Sequence, residues 1–593
     1  MKNKIFVYLK TITEWIQFRL TKKQFVFLSS ILIGLSVGLA AIILKTFVHY
    51  IFIAVTYKEF DSFKYVFLFL PVIGIFLTVL SVKKLLKGKL YKGLSQIHFA
   101  IAKKSSNVPR VQMYAQILTS SLTVGFGGSA GLEAPIIITG AAFGSNYSKT
   151  YHLSYKERTL LLACGIAAGI AAVFNAPIAG VLFALEVLLI DISISAFTPL
   201  IIAAATGALI SKIVLEDDIL LSFQLQQPFN YTNVPFYILL GLLAGIVSVY
   251  HSRVFNNIED LFSKSENKIY LNVFIGGALL AALIFIFPSL YGEGYRSIKI
   301  LSIQQPEILL DNSIFQNYKS NEWFVLAFVG ILIFVKAIAT GITLGSGGNG
   351  GNFAPALFVG SYLGFFLSRG LNMLNLTSLP VSNFTIVGMA GILSGLYHAP
   401  LTALFLIAEI TGGYTLMIPL MIVSSISYAI SKHFEPHSMD IKKLFESSKV
   451  YTHDKDLNIL ANLNISNLIE TNFQQISPQD KLRKIVDIIS KSRRNIFPVT
   501  DADHKLLGII VLDNVREIIF KNELYDKIIA AELMIPPLAT INANETMEAV
   551  MKKFEETGAW NLPVIDNEIY LGFISKSGVF SSYRNKLKAT SIG

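Results

Sequence analysis

Phe174-Asn-Ala-Pro-Ile-Ala-Gly-Val-Leu-Phe-Ala-Leu-Glu186 returns 223 residues later as Tyr397-His-Ala-Pro-Leu-Thr-Ala-Leu-Phe-Leu-Ile-Ala-Glu409, with Ala-Pro near the start and Glu at the end of both copies. Each copy follows a glycine-rich stretch that itself ends in Ala-Pro. Gly127-Gly-Ser-Ala-Gly-Leu-Glu-Ala-Pro135 lies 42 residues before Pro177, and Gly345-Ser-Gly-Gly-Asn-Gly-Gly-Asn-Phe-Ala-Pro355 lies 45 residues before Pro400. A glycine-rich break and a following Ala-Pro helix, repeated at matched spacing, read as a transporter built from two inverted halves with its site at the breaks. Small residues also let membrane helices pack closely, but that alone gives no reason for the paired spacing.

Composition fits a membrane protein. Of 593 residues, 53% are hydrophobic and 15% charged. Residues 451–593 hold 35 charged residues in 143 positions and are nearly neutral, so the excess behind the net charge of +11 lies in the first 450 residues. A nucleic-acid reading fails on that distribution; loop charges that set topology, or attraction of anions, take its place. The single cysteine, Cys164, excludes a disulfide framework and a cysteine metal site.

Residues 1–24 alternate basic and apolar positions without a cleavage site and are expected to form an interfacial helix. Apolar runs follow at about 25–56, 65–82, 111–147, 159–190, 199–214, 234–250, 270–290, 322–345, 353–379, 384–410 and 412–431. Their uneven lengths suggest tilted and discontinuous helices, tolerated in a membrane where protein or a wet cavity covers the freed backbone. Two halves, about 25–214 and 234–445, make one membrane domain over 25–445. The lysine-rich connections Lys83–Lys104 and Lys149–Arg158 are expected on the cytoplasmic side. From 446 to 593 the pattern becomes a soluble α/β module that repeats at about 463–525 and 530–590. Asn495-Ile-Phe-Pro-Val-Thr-Asp501 and Leu507-Gly-Ile-Ile-Val-Leu-Asp513 recur as Trp560-Asn-Leu-Pro-Val-Ile-Asp566 and Leu571-Gly-Phe-Ile-Ser-Lys-Ser577.

A glycine-rich break that points a helix N-terminus into the membrane offers free N–H groups and the positive end of the helix dipole, an anion site that needs no buried cation. Glu133, planted in the first break, competes with that anion: ionised it can fill the amide cage itself, and protonated it must let go. An unpaired charge there costs at least roughly 2.5 kcal/mol, so an intramembrane carboxylate is a functional candidate by default.

At these residues the chain resembles the CLC family of chloride channels and proton–chloride antiporters, over about residues 25–445. Gly131-Leu-Glu-Ala-Pro135 is similar to the family's Gly-Arg-Glu-Gly-Pro, Gly351-Asn-Phe-Ala-Pro355 matches its Gly-x-Phe-x-Pro, and Asn175-Ala-Pro-Ile-Ala-Gly180 resembles its next helix. The tail resembles a cytoplasmic CBS pair. The resemblance implies an α-helical polytopic membrane protein of CLC-type inverted repeats, a homodimer with one anion pathway per subunit, and bacterial inner-membrane residence. It implies Glu133 as the gating glutamate and an anion site at Gly131, Leu132, Gly351, Asn352 and Phe353. No enzymatic activity and no resident cofactor or metal is expected.

Departures from the family pattern bear on mechanism. Lys92, or Ser95 as a second candidate, falls where the family places an anion-binding serine, and Asp440 falls where it places a tyrosine. Opposite charges in positions the family brings together suggest a Lys92–Asp440 salt bridge across the inner mouth. The antiporters' proton-relay glutamate falls on Val187, which cannot carry a proton and favours gated conduction, whereas the retained Glu133 leaves proton-coupled exchange open. A CBS-regulated cation channel is a distant alternative against the basic excess of the membrane part. In the tail, Val511 and Gly578 break the adenine-nucleotide pattern, leaving ligand binding and dimer bracing both open.

Overall fold

The computed structural model describes residues 19–56, 68–188, 196–215, 227–265, 268–311, 313–448 and 463–592. Residue contacts divide the chain into two compact units, Met1–Ser448 and Lys449–Gly593. Most of the segment expected as an interfacial helix, residues 1–24, lies outside the described residues.

The first half of the membrane unit comprises α1 (Lys22–Thr56), α2 (Leu70–Lys84), α3 (Ser95–Lys103), α4 (Gln112–Gly125), α5 (Glu133–Thr150), α6 (Tyr155–Phe174), α7 (Pro177–Glu186) and α8 (Phe197–Leu215). The second comprises α9 (Val234–Ser263), α10 (Ile269–Ile286), α11 (Tyr295–Ser302), α12 (Glu322–Gly345), α13 (Phe353–Met373), α14 (Val381–Tyr397), α15 (Pro400–Ile410), α16 (Met417–Phe434) and α17 (Met439–Ser448). Among the described residues six helices, α1, α6, α8, α9, α10 and α12, are long and apolar enough to cross a membrane. The run 111–147 is two helices separated by the first glycine-rich break, and the runs 159–190 and 384–410 each break once, at Asn175-Ala176 and His398-Ala399. Asn175 and His398 end their helices in the left-handed conformation, at φ 53° and 55°, and a proline at the next helix's first position presets its φ.

The repeat seen in the sequence is also a repeat of close packing. Between α5 and α6, a Cβ on Gly140 would lie 2.2 Å from the carbonyl oxygen of Gly165, and between α13 and α14 one on Gly360 would lie 2.4 Å from that of Gly388. Glycine lets these backbones touch, as small residues do between membrane helices. The two Ala-Pro helices are crossed. Glu186, the last residue of α7, accepts from the Leu401 and Thr402 amides at the start of α15 at 3.1 and 2.7 Å. Glu409 in turn accepts from the Ile178 and Ala179 amides of α7 at 3.0 and 2.8 Å. Each carboxylate therefore satisfies orphan N–H groups and meets the positive dipole end of the other copy.

The second unit contains α18 (Leu482–Lys491), the antiparallel pair β1 (Ile496–Thr500) and β2 (Leu506–Val511), and a sheet of order β3 (Ile541–Asn542), β4 (Asn561–Asp566), β5 (Ile569–Ser575), with α19 (Met547–Thr557) and α20 (Lys576–Ile592). The copies share a register shift at matching places, Val499/Thr500 and Val564/Ile565. An open cavity of about 410 Å³ lies beside Glu470, Arg494, Trp560 and Ser577, with Arg494 and Glu470 paired at 2.7 Å.

Candidate functional site

The two glycine-rich breaks meet. Gly131 donates to the carbonyl of Gly351 and Gly351 to that of Gly131, both at 2.8 Å, a two-residue antiparallel bridge that sets the N-termini of α5 and α13 side by side. This corrects one expectation. The amides of Gly131 and Gly351 are consumed by each other, because two extended glycines at this distance complete a backbone pair before either can serve an anion. Leu132 and Asn352 are the N-caps, and neither spends its side chain on capping. The free N–H groups of the first turns are left for an acceptor supplied from elsewhere.

Glu133 supplies it. Its buried carboxylate accepts from the Ala354 amide in the first turn of α13 at 3.3 Å and from the Tyr295 hydroxyl. The gate candidate of one break is therefore lodged at the helix N-terminus of the other. Gly131 is required there, since a Cβ on it would fall 2.1 Å from Glu133 Oε2. Phe353 is buried against the rings of Phe174, Phe183 and Tyr397, at centroid distances of 5.5, 6.1 and 5.5 Å. The Asn352 side chain is fixed between His251 Nε2, 3.0 Å from its Oδ1, and Met439 Sδ, 3.0 Å from its Nδ2. It thus ties α13 to α9 and α17. The second break is anchored further by Asn349, whose side chain donates to Gln116 at 2.9 Å and Thr119 at 2.7 Å.

On one side of Glu133 an open cavity of about 480 Å³ includes Lys45, Leu132, Glu293 and Tyr295 in its wall. The turn Gly292-Glu293-Gly294, with φ of 70° at Gly292 and 94° at Gly294, lies over the first break, where Gly292 donates to Gly127 at 3.1 Å. The buried ammonium of Lys336 donates to Ser129 Oγ at 2.8 Å and to the Gly292 carbonyl at 3.3 Å. Lys45 donates to the Val173 carbonyl at 2.7 Å.

On the other side a cavity of about 100 Å³ brings together Lys92, Ser95, Gly351, Asn352, Tyr397, Glu259 and Asp440. Lys92 and Ser95 thus both reach the wall, and Asp440 shares it. The expected salt bridge is not among the ion pairs seen between the described residues: Asp440 Oδ2 has no hydrogen-bond partner there, and the charge set against it is that of Glu259. Lys443, one turn along α17, pairs with Glu259 and Asp260 at 2.8 Å each, drawing α17 toward α9 and setting Asp440 against Glu259. Besides Ser95, a phenol side chain lines this wall. Tyr397 supplies it, from the end of α14, within electrostatic reach of both Glu133 and Asp440. Val187 is buried, and its carbonyl lies 2.9 Å from His98 Nε2. Glu186 is committed to capping α15.

Tyr295, Tyr397, Glu293 and Lys336 were not singled out from sequence. Tyr295 stands 162 residues from its partner Glu133, so no local pattern announces the contact. The internal repeat held a partial signal, since Tyr397 begins the second copy where Phe174 begins the first.

A family model described as voltage gated chloride channel matches residues 74–432, and the CBS domain model matches 465–521 and 530–584. A ClcB-like chloride channel protein of Ralstonia nicotianae is 28% identical over 366 residues, 61% of this chain and 81% of that protein. The voltage-gated ClC-type chloride channel ClcB of Escherichia coli O17:K52:H18 is 29% identical over 317 residues, 53% of this chain and 71% of its own. Among solved structures, a slow cyanobacterial Cl⁻/H⁺ antiporter aligns with a TM-score of 0.62 at 20% identity, covering 72% of this chain and all of that one. A eukaryotic CLC transporter aligns at 0.59 and 18% identity, covering 93% of this chain and 97% of its own. With its facing broken helices and more than half its length matched by the family model, the chain belongs to the voltage gated chloride channel (CLC) family and carries a C-terminal pair of CBS domains.

Proposed function

We propose that this membrane protein moves chloride through a pathway gated by Glu133, with Leu132, Asn352 and Phe353 contributing to the anion site and Lys92, Ser95, Tyr397 and Asp440 to its inner mouth. The observation that carries this reading is the Glu133 carboxyl group, which accepts from the Ala354 amide at the N-terminus of α13. Protonation removes its charge, weakens its hold on the amide and leaves the N-terminus to chloride. Family architecture supports a homodimer with one pathway in each subunit and a cytoplasmic CBS pair, and the ClcB relatives support residence in a bacterial inner membrane. The CBS cavity is a candidate for an adenine nucleotide, against the pattern broken at Val511 and Gly578. Gated conduction is favoured over strict proton exchange because Val187 offers no carboxyl and Glu186 is held as a cap. Proton-coupled exchange is the second reading, favoured by Glu133 itself and by structural neighbours described as antiporters.

Reconstitution with chloride efflux and proton uptake recorded together tests both. Glu133→Gln, which mimics the protonated side chain, is expected to keep or raise chloride flux and to lose its dependence on pH. A mutant as pH-sensitive as the parent excludes Glu133 as the gate. Uphill proton movement driven by a chloride gradient at a fixed ratio establishes exchange.

A further inference from the structure

The mechanism so far makes no use of Glu293. It stands on the turn that lies over the first glycine-rich break, in the wall of the 480 Å³ cavity. Its Oε1 is buried and has no hydrogen-bond partner among the described residues. A carboxylate oxygen in that state is expensive to keep unless it serves something that comes and goes. Its surroundings narrow the choice. The carboxylate faces the Leu132 backbone amide, the residue before Glu133, and two residues beyond it Tyr295 donates to Glu133. Glu293 thus stands in the cavity wall beside the gate, with Tyr295 two residues on in direct contact with Glu133 and Gly292 before it bonded to Gly127 of the first break.

The charges facing it come from every element around. Glu133 faces it from α5, Lys45 from α1 and Lys336 from α12. His49 of α1, Tyr291, Arg296 of α11 and Asp311 stand elsewhere in the cavity wall. The two lysines donate to carbonyl and hydroxyl acceptors, and among the ion pairs of the described residues neither is joined to Glu293. They still supply positive charge that makes a pair of neighbouring carboxylates tolerable while only one of them carries a proton. An inert structural carboxylate would be expected in an ion pair or fully hydrogen-bonded.

We propose that Glu293 is a second proton-binding carboxylate of the pathway, which passes a single proton between the water of this cavity and Glu133. The inference rests on the reading of Glu133 as the gate. A hydronium in the cavity gives its proton to the Glu293 carboxylate and leaves as water. The Glu293 carboxylic acid gives that proton to the Glu133 carboxylate and returns to its ionised form. Glu133, now neutral, releases the Ala354 amide. The return runs in reverse, so one proton is moved and none is consumed. The two carboxylates repel each other only while both are ionised, and one proton shared between them relieves that repulsion.

The test uses full-length protein in liposomes, with chloride efflux read as a function of pH on the cavity side and after a rapid pH step. In Glu293→Gln the neighbouring negative charge is lost, so the pH midpoint of efflux should move to lower pH by about one unit. The response to a pH step should slow about tenfold, while efflux at low pH stays near the parent's, as expected for loss of one positioned proton carrier. Glu293→Asp, which keeps a carboxylate one methylene shorter, should restore the parent's midpoint while the step response stays slow. A Glu293→Gln curve and step response superimposable on the parent's overturn the proposal. If Glu293→Gln does not fold, an Asp variant with an unslowed step response overturns it equally. Glu133→Gln separates the two levels: a pH-independent Glu133→Gln beside an unaltered Glu293→Gln defeats this inference alone. A Glu133→Gln variant that keeps the parent's pH dependence defeats the gate reading on which it stands.

Discussion

At Glu133 the protein solves a problem of desolvation by letting one half of the repeat hold the charge of the other. A carboxylate inside a membrane is expensive, and the Ala354 amide, the dipole of α13 and the Tyr295 hydroxyl offset part of that penalty, with no cation in hydrogen-bond contact among the described residues. The fit leaves no room at Gly131, where a methyl group would meet Glu133 Oε2 at 2.1 Å and the Ala354 Cβ at 2.9 Å. Gly131→Ala should therefore dislodge the carboxylate. We expect chloride efflux at neutral pH to rise several-fold and the unfolding free energy in detergent to fall by about 1–3 kcal/mol, the usual range for overpacking. Efflux and thermal melting of one preparation check both, and unchanged efflux would mean that the carboxylate is not the barrier. Glu133 is legible in the sequence because the motif around it is local. Tyr295 and Tyr397 are not, because what brings them to the site is proximity to residues far away in the chain.

Among the elements, the crossed pair α7 and α15 shows how much a repeat conveys and where it stops. Matching Ala-Pro starts and Glu ends announce two equivalent helices. They do not announce that each Glu reaches the other helix's N-terminus, since a cap is ordinarily sought at a helix's own start. For the same reason the bridge between Gly131 and Gly351 is not announced by the two breaks, whose glycines lie 220 residues apart in the chain. Glu186→Ala should leave the Leu401 and Thr402 amides and the Thr402 hydroxyl without their acceptor, lowering stability by about 1–3 kcal/mol. Melting in detergent measures the effect. A variant with the parent's melting point would show that the caps are replaceable by water.

On the scale of the whole molecule, the last helix of the membrane unit is held by Glu435, which accepts from Arg253 at 2.6 Å and from Lys442 at 2.7 Å. Burial raises the affinity of this carboxyl for a proton, but Lys442 and Arg253 outweigh it and hold it below the ordinary glutamate range. A group depressed in the folded state adds stability that is complete above its unfolded value, about 4.3, and is lost as pH falls through the folded value. The parent should thus lose stability steeply below about pH 4.3, and Glu435→Gln should be less stable at neutral pH by about 1–2 kcal/mol with a flatter acid limb. Melting curves between neutral and acid pH decide it, and parallel curves for the two proteins would refute it. The bridge between Gly131 and Gly351 sets a different limit, on motion. It rivets the two halves of the repeat beside Glu133, where the proposed pathway runs. A cycle that rocked one half against the other would have to tear two buried backbone hydrogen bonds at every turn, roughly 1–3 kcal/mol for each group left bare. Swinging a single side chain tears neither. The frame is thereby a stator, and turnover belongs to a rotor of a few atoms.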